Sequence, residues 1–185
     1  AGDALASLTV NGAGTTLLNA GAVTTVGAQS FGNAVTLGVN TALVTTLNGN
    51  SSVTFGSTLN SSEALSRLST PAPATLSITA GAAHAVFFSG IVGGASYAGT
   101  GGAQTTTGAL GDVTVSAGLA SFGAAFTAAS VVTTGSTVVL AGNITTTGIQ
   151  TYNGDVFVRS DAVLAGTDIA LNQKVDSDSG SARAL

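Results

Sequence analysis

The sequence predicts an all-β chain: a parallel β-helix (β-solenoid) of short strands joined at Gly- and Asn-rich corners. Three observations carry this. Part of the chain occurs twice, one copy holds a whole extra unit, and apolar residues alternate with a period of two. Residues 21–37 read GAVTTVGAQSFGNAVTL and residues 142–158 read GNITTTGIQTYNGDVFV. At an offset of 121, Gly21, Thr24, Thr25, Gly27, Gln29 and Val35 match Gly142, Thr145, Thr146, Gly148, Gln150 and Val156. A repeat built from apolar and Thr positions points to stacked, quasi-one-dimensional architecture.

The chain opens on LASLTVNGAG (5–14), where Leu8 and Val10 flank Thr9. Alternation of this kind gives a strand with one buried face. The first repeat copy follows, with Val35, Leu37 and Val39 expected on one side and Thr36 and Gly38 on the other. Val53 and Phe55 then flank Thr54, and Leu76 and Ile78 flank Ser77. The segments NGAG, NAGA, FGNA, NGNSS, GGAS, GTGG and YNGD punctuate these strands, because Gly and Asn tolerate the backbone of tight corners. The only two prolines, Pro71 and Pro73, mark a candidate loop or insertion around 66–75, since proline cannot donate to a sheet ladder. A second candidate loop lies around 94–108.

LGDVTVSAGL (110–119) repeats the opening segment at an offset of 105, and LSITAGA (76–82) is a third relative. The two offsets differ by the 16 residues of ASFGAAFTAASVVTTG (120–135). A packed globular core rarely accepts an insertion of that size, whereas a solenoid takes it as one more layer. The expected organisation is a single segment, 1–185, with an internal repeat of 5–65 and 110–185. SARAL (181–185) falls in the phase of SEAL (62–65). With no initiator Met and no signal peptide, the sequence reads as a mature or excised piece.

Composition narrows the function classes. Charged residues are 6 % of the chain, against about a quarter in ordinary soluble proteins. With 44 % apolar residues and a net charge of −4, the balance argues for order rather than disorder. Every apolar run is interrupted well short of the ~18 residues a membrane helix needs, and nine aromatics without Trp are too few for the girdles of a membrane barrel. Four basic residues and a pI near 4.4 argue against a nucleic-acid partner. The absence of cysteine excludes a disulfide framework and thiol chemistry.

The phrases GAVTTVGAQSFGNAVTLGVNTAL, SVTFGSTLNS and GNITTTGIQTYNGDVFVRSDAVL resemble the repeats of large filamentous-haemagglutinin-like bacterial adhesins and related β-strand-repeat exoproteins. The resemblance implies a right-handed parallel β-helix, secreted and displayed on the cell surface, serving adhesion or acting as a rigid stalk. It brings no catalytic residues with it.

Few residues suggest chemistry. His84, in GAAHAVFFSG, is the sole histidine and has no second His or Cys for a metal site or a triad. Asp161 and Asp168 are the carboxylates weighed for glycoside chemistry, and an apolar stretch separates them. Asp176 and Asp178, in VDSDSGS, are candidate calcium ligands, facing one way if the segment is a strand. Eight of the twelve charged residues fall within 155–185, as a solvated face or an edge guard. Thr runs at 24–25, 45–46, 105–107, 133–134 and 145–147 resemble the Thr faces of ice-binding solenoids. The reading is therefore a non-enzymatic, extracellular surface shaft or adhesin without catalytic, cofactor or firm metal residues. Its expected partners are neighbouring copies or repeats of itself and surface glycans. The alternatives are an end-to-end filament or sheath subunit and an ice- or polysaccharide-binding solenoid.

Overall fold

The computed structural model describes residues 4–46, 51–62, 72–94, 96–98, 105–178 and 180–185. Among these residues there is no helix; the chain is all-β and its strands pair almost throughout in parallel. The first eight strands are β1 (Leu8–Val10), β2 (Thr15–Leu18), β3 (Ala22–Thr25), β4 (Gln29–Phe31), β5 (Ala34–Leu37), β6 (Thr41–Thr45), β7 (Val53–Phe55) and β8 (Leu59–Ser61). Next come the long β9 (Leu76–Phe88), the short β10 (Ser96–Ala98) and β11 (Thr105–Thr107), and the long β12 (Leu110–Phe122) and β13 (Phe126–Thr134). The rest are β14 (Thr137–Leu140), β15 (Ile144–Thr146), β16 (Ile149–Tyr152), β17 (Asp155–Val158), β18 (Leu164–Ala165), β19 (Asp168–Leu171) and β20 (Val175–Ser177).

These strands sort into three parallel ladders, visited in turn by the chain. The first runs β1, β4, β7, the end of β9, the end of β12, β14, β17 and β20. The second joins β2, β5 and β8, continues through single bridges at Val92, and resumes in the start of β13, β15 and β18. The third runs β3, β6, the start of β9, the start of β12, the end of β13, β16 and β19. The 120–135 stretch expected to add one layer supplies one segment to each ladder, at Ser121–Phe122, Phe126–Ala128 and Val131–Thr133. Ala120 pairs with Val138 and Val138 with Val156, a step of 18 residues each time.

Register explains the core. Val10, Phe31, Phe55, Phe88, Phe122, Leu140, Val158 and Ser177 follow one another as direct partners along the first ladder. Parallel strands lie about 4.8 Å apart, so like side chains must stack. The rings of Phe31, Phe55, Phe88 and Phe122 do so at centroid distances of 5.2, 5.5 and 5.5 Å. Phe126, from the second ladder, meets Phe88 and Phe122 edge-on at 5.4 and 5.0 Å. All five rings are fully buried. Each contributes roughly 1.5–3 kcal/mol by burial, and each well-oriented ring pair about 0.5–1.5 kcal/mol more.

The period-two reading holds at Val53/Phe55 and Leu76/Ile78, all buried, with Ser77 exposed; Val113 and Val115 show the same pattern about the exposed Thr114. It fails at Val39, which is 41 % exposed. β5 ends at Leu37 and the chain turns at Gly38, so the alternation does not reach Val39. Of the two candidate loops, 66–71 lies outside the described residues and 72–75 is irregular. Within 94–108, β10 and β11 form an antiparallel pair of their own. In the phase match of 181–185 with 62–65, residues 63–65 lie outside the described residues, while 181–185 are exposed and form no strand.

The repeat copies share a local conformation but not a ladder. In 21–37 the three strands belong to the third, first and second ladders; in 142–158 they belong to the second, third and first. Likewise Leu8–Val10 lies on the first ladder and Val113–Val115 on the third, whereas 76–79 and 113–116 are direct neighbours.

Candidate functional surface

What the two repeat copies do share is a corner. Thr25 Oγ1 donates to Gly27 O at 2.5 Å, and Gln29 Nε2 donates to Val23 O, Thr25 Oγ1 and Val44 O at 3.1, 3.2 and 3.1 Å. Thr146 Oγ1 donates to Gly148 O at 2.8 Å, and Gln150 Nε2 to Ile144 O, Thr146 Oγ1 and Ala165 O at 3.3, 3.2 and 2.7 Å. Each glutamine thus ties its own corner to the neighbouring strand of the ladder. Both glutamines and both threonines are buried, so these bonds offset a desolvation cost of about 1–3 kcal/mol per polar group. The repeat contained the signal, since Thr, Gly and Gln recur at fixed spacing. Its role as a buried clamp was not legible from the sequence.

The Thr runs do not form flat rows. Thr25, Thr45, Thr133 and Thr146 are buried, while Thr24, Thr46, Thr134, Thr145 and Thr147 are exposed. Each pair straddles the sheet because neighbouring residues of a strand point to opposite faces. The side chains of 105–107 lie outside the described residues.

The candidate calcium ligands are engaged by cations. Asp176 Oδ2 lies 2.6 Å from Lys174 Nζ, and Asp178 Oδ2 accepts from Arg159 Nε at 2.9 Å. The Lys174 ammonium hydrogen-bonds to Asp176 and holds its carboxyl below the usual range, assisted by the Ser177 N–H. The same pairing raises the lysine. Both pairs are solvent-exposed, where such contacts are worth little. Asp161 accepts from the Ala184 N–H at 3.1 Å, and Asp168 opens β19 at the surface. Among the described residues, no three His, Cys, Asp or Glu side chains gather as metal ligands.

Two concavities lie among the described residues near the candidate positions. His84 is half-buried beside an open depression of about 420 Å³, shared with Ser52, Phe87, Gly118, Leu119 and Ser136. It lies where β9 holds extra residues against β12: Ser116 pairs with Thr79 and Leu119 with Ala85. A groove of about 360 Å³ runs past Pro73, Gly93, Ala109, Thr127 and Thr145–Thr147. No Asp, Glu, Lys or Arg lines either of them. On the outer side of the first ladder, Phe87, Ser121, Val139 and Phe157 are successive partners, with both rings half-buried. The sequence reading missed these outward rings, although each stands between two inward apolar residues.

No family model matches the chain, and no curated protein or solved structure matches it. Among the described residues no helix is long and apolar enough to cross a membrane.

Proposed function

We propose that this chain is a β-solenoid segment serving as a stiff, non-enzymatic shaft in an extracellular bacterial surface fibre or adhesin. The observation that carries the reading is the file of registered partners from Val10 to Ser177, with four stacked phenylalanines inside it. An unbroken row of backbone hydrogen bonds accompanies that file. Gly32, Gly56, Ser89, Gly123, Ala141, Arg159 and Asp178 donate to Val10, Phe31, Phe55, Phe88, Phe122, Leu140 and Val158 at 2.7–2.9 Å. A ladder resists extension because its hydrogen bonds and side-chain files repeat at every layer, and each layer needs its neighbours to bury its apolar face. Seven steps of about 4.8 Å give a rise of about 34 Å. Exposed polar side chains such as Thr24, Thr46, Asn143 and Thr145, together with the His84 depression, are the surfaces through which a shaft of this kind contacts glycans.

Two measurements test the reading. Cysteines placed at the registered partners Ser30 and Thr54 should cross-link within one chain on mild oxidation; a pair that stays reduced in the folded chain overturns the solenoid register. Antibody labelling of intact producing cells should reach the chain without permeabilisation. Labelling only after lysis overturns the surface assignment.

A further inference from the structure

The sequence contains the dipeptide Asn-Gly three times, at 11–12, 48–49 and 153–154. The second lies outside the described residues. The structure treats the other two in opposite ways. We propose that Asn11 is a site of spontaneous deamidation, and that Asn153 is held out of the same chemistry by the ladder around it.

Asn-Gly is the dipeptide in which the following backbone nitrogen most readily reaches the side-chain carbonyl, because glycine places no side chain in the way. The Gly12 nitrogen attacks Asn11 Cγ; a C–N bond forms and the Cγ–Nδ2 bond breaks. The proton lost by the peptide nitrogen leaves with the side-chain amide as ammonia, and a succinimide ring remains. Water then opens the ring at either carbonyl, giving aspartate or isoaspartate. One water is consumed and one ammonia released, with no change of oxidation state.

The step needs an accessible amide and a backbone free to rotate. Asn11 and Gly12 are both exposed, in the connection between β1 and β2. Gly12 sits at φ +137° with no atom within 4 Å of where a Cβ would stand. No hydrogen bond holds the Asn11 amide or the Gly12 N–H among the described residues.

Asn153 differs on each count. Its Nδ2 donates to Thr133 O at 2.9 Å, its Oδ1 accepts from Asn172 Nδ2 at 2.8 Å, and its backbone N–H donates to the same Thr133 O at 3.3 Å. Gly154 is buried, and a Cβ there would lie 2.7 Å from Gly135 O and from the Ser136 carbonyl carbon. Ring closure at Asn153 therefore requires local opening of the ladder, which multiplies its rate by the small fraction of open molecules.

The reaction has a structural consequence. The Asn11 side chain lies over Gly32, whose position for a Cβ is 2.6 Å from Asn11 Oδ1. Conversion places an irreversible negative charge at this corner, on a chain whose net charge is already −4. The isoaspartyl product also lengthens the backbone beside the three-residue β1–β4 pairing.

The experiment incubates the folded chain in mildly alkaline buffer, with a sample in denaturant alongside. Conversion is followed by peptide mapping and by enzymatic methylation of isoaspartate. In the folded chain Asn11 should convert at least about tenfold faster than Asn153, and the two rates should converge in denaturant. Asn172→Ala, with its fold checked by circular dichroism, should raise the Asn153 rate severalfold and leave the Asn11 rate unchanged. Equal rates in the folded chain overturn the proposal. So does an Asn11 that stays intact while the denatured chain converts, or an Asn153 rate unmoved in folded Asn172→Ala.

Discussion

The Tyr152 hydroxyl donates to Gln150 Oε1 at 2.9 Å, two residues along the same strand. In the other repeat copy the tyrosine position is Phe31, and Gln29 Oε1 is buried without a partner. The amide nitrogens of the two glutamines make equivalent bonds, so the hydroxyl is the one hydrogen-bonding difference between the clamps. Tyr152→Phe should therefore destabilise the chain by about 1–3 kcal/mol, the cost of an orphaned buried acceptor. Phe31→Tyr should stabilise it by about 1 kcal/mol, because the added hydroxyl meets Gln29 Oε1 while the ring keeps its stack on Phe55. Urea unfolding of both variants measures the two signs, and like signs would show that the corners are not equivalent.

A second buried polar atom lacks a partner, Thr133 Oγ1. Thr133 stands between Val115 and Tyr152 in the third ladder, so the hydroxyl faces apolar neighbours. Thr133→Val replaces the hydroxyl by a methyl of similar size and should raise stability by about 1 kcal/mol. The same exchange at Thr146 should lower it by about 1–3 kcal/mol, since Gln150 and Gly148 both lose a bond. Paired thermal melts of the two variants check the opposite directions.

Phe88 is the ring with the most aromatic neighbours, touching Phe55, Phe122 and Phe126. Phe88→Ala should cost about 3–5 kcal/mol, combining lost transfer energy with a cavity that stacked strands cannot close. Phe157→Ala, on the outward side of the same ladder, should cost well under half as much, because its ring is only half-buried. Denaturant midpoints at a common slope separate the two, and equal losses would contradict the inward and outward assignment.

The sequence made the strands visible but not the ladder to which each belongs. Period two identifies Val53/Phe55 and Leu76/Ile78 as inward pairs, and these are buried. It cannot show that Phe31, Phe55, Phe88 and Phe122 form one file. The steps between them are uneven, because the connecting segments differ in length from layer to layer. The repeat at offset 121 illustrates the same limit. Strand, corner and strand make the same local demands on every ladder, so matching sequences recur one ladder apart. The corner clamp was written in the repeat as Thr25, Gly27 and Gln29 against Thr146, Gly148 and Gln150. Its action became readable only when Val44 and Ala165 were seen to supply the carbonyls from the neighbouring strand. Asp176 and Asp178 show the converse. Their spacing in VDSDSGS suggested a shared ion, but Lys174 and Arg159, one on each side of the ladder step, take one carboxylate apiece.

Burial also makes Tyr152 a titration probe of the core. The desolvated phenol is raised above its ordinary value near 10. A phenol is neutral when protonated, so burial favours the protonated form in the folded chain. The folded state then holds its proton at alkaline pH where the unfolded state releases it. The linked stability is fully present below about pH 10 and is lost as pH rises beyond that, by up to about 1.4 kcal/mol per pH unit for one proton. Unfolding free energy measured from pH 8 to pH 12 should accordingly bend downward above about pH 10. Tyr152→Phe should remove that part of the slope while starting from a lower stability at neutral pH. A variant that keeps the full slope would place the alkaline loss in some other group, and would remove the evidence that the Tyr152 hydroxyl stays protonated as the donor to Gln150.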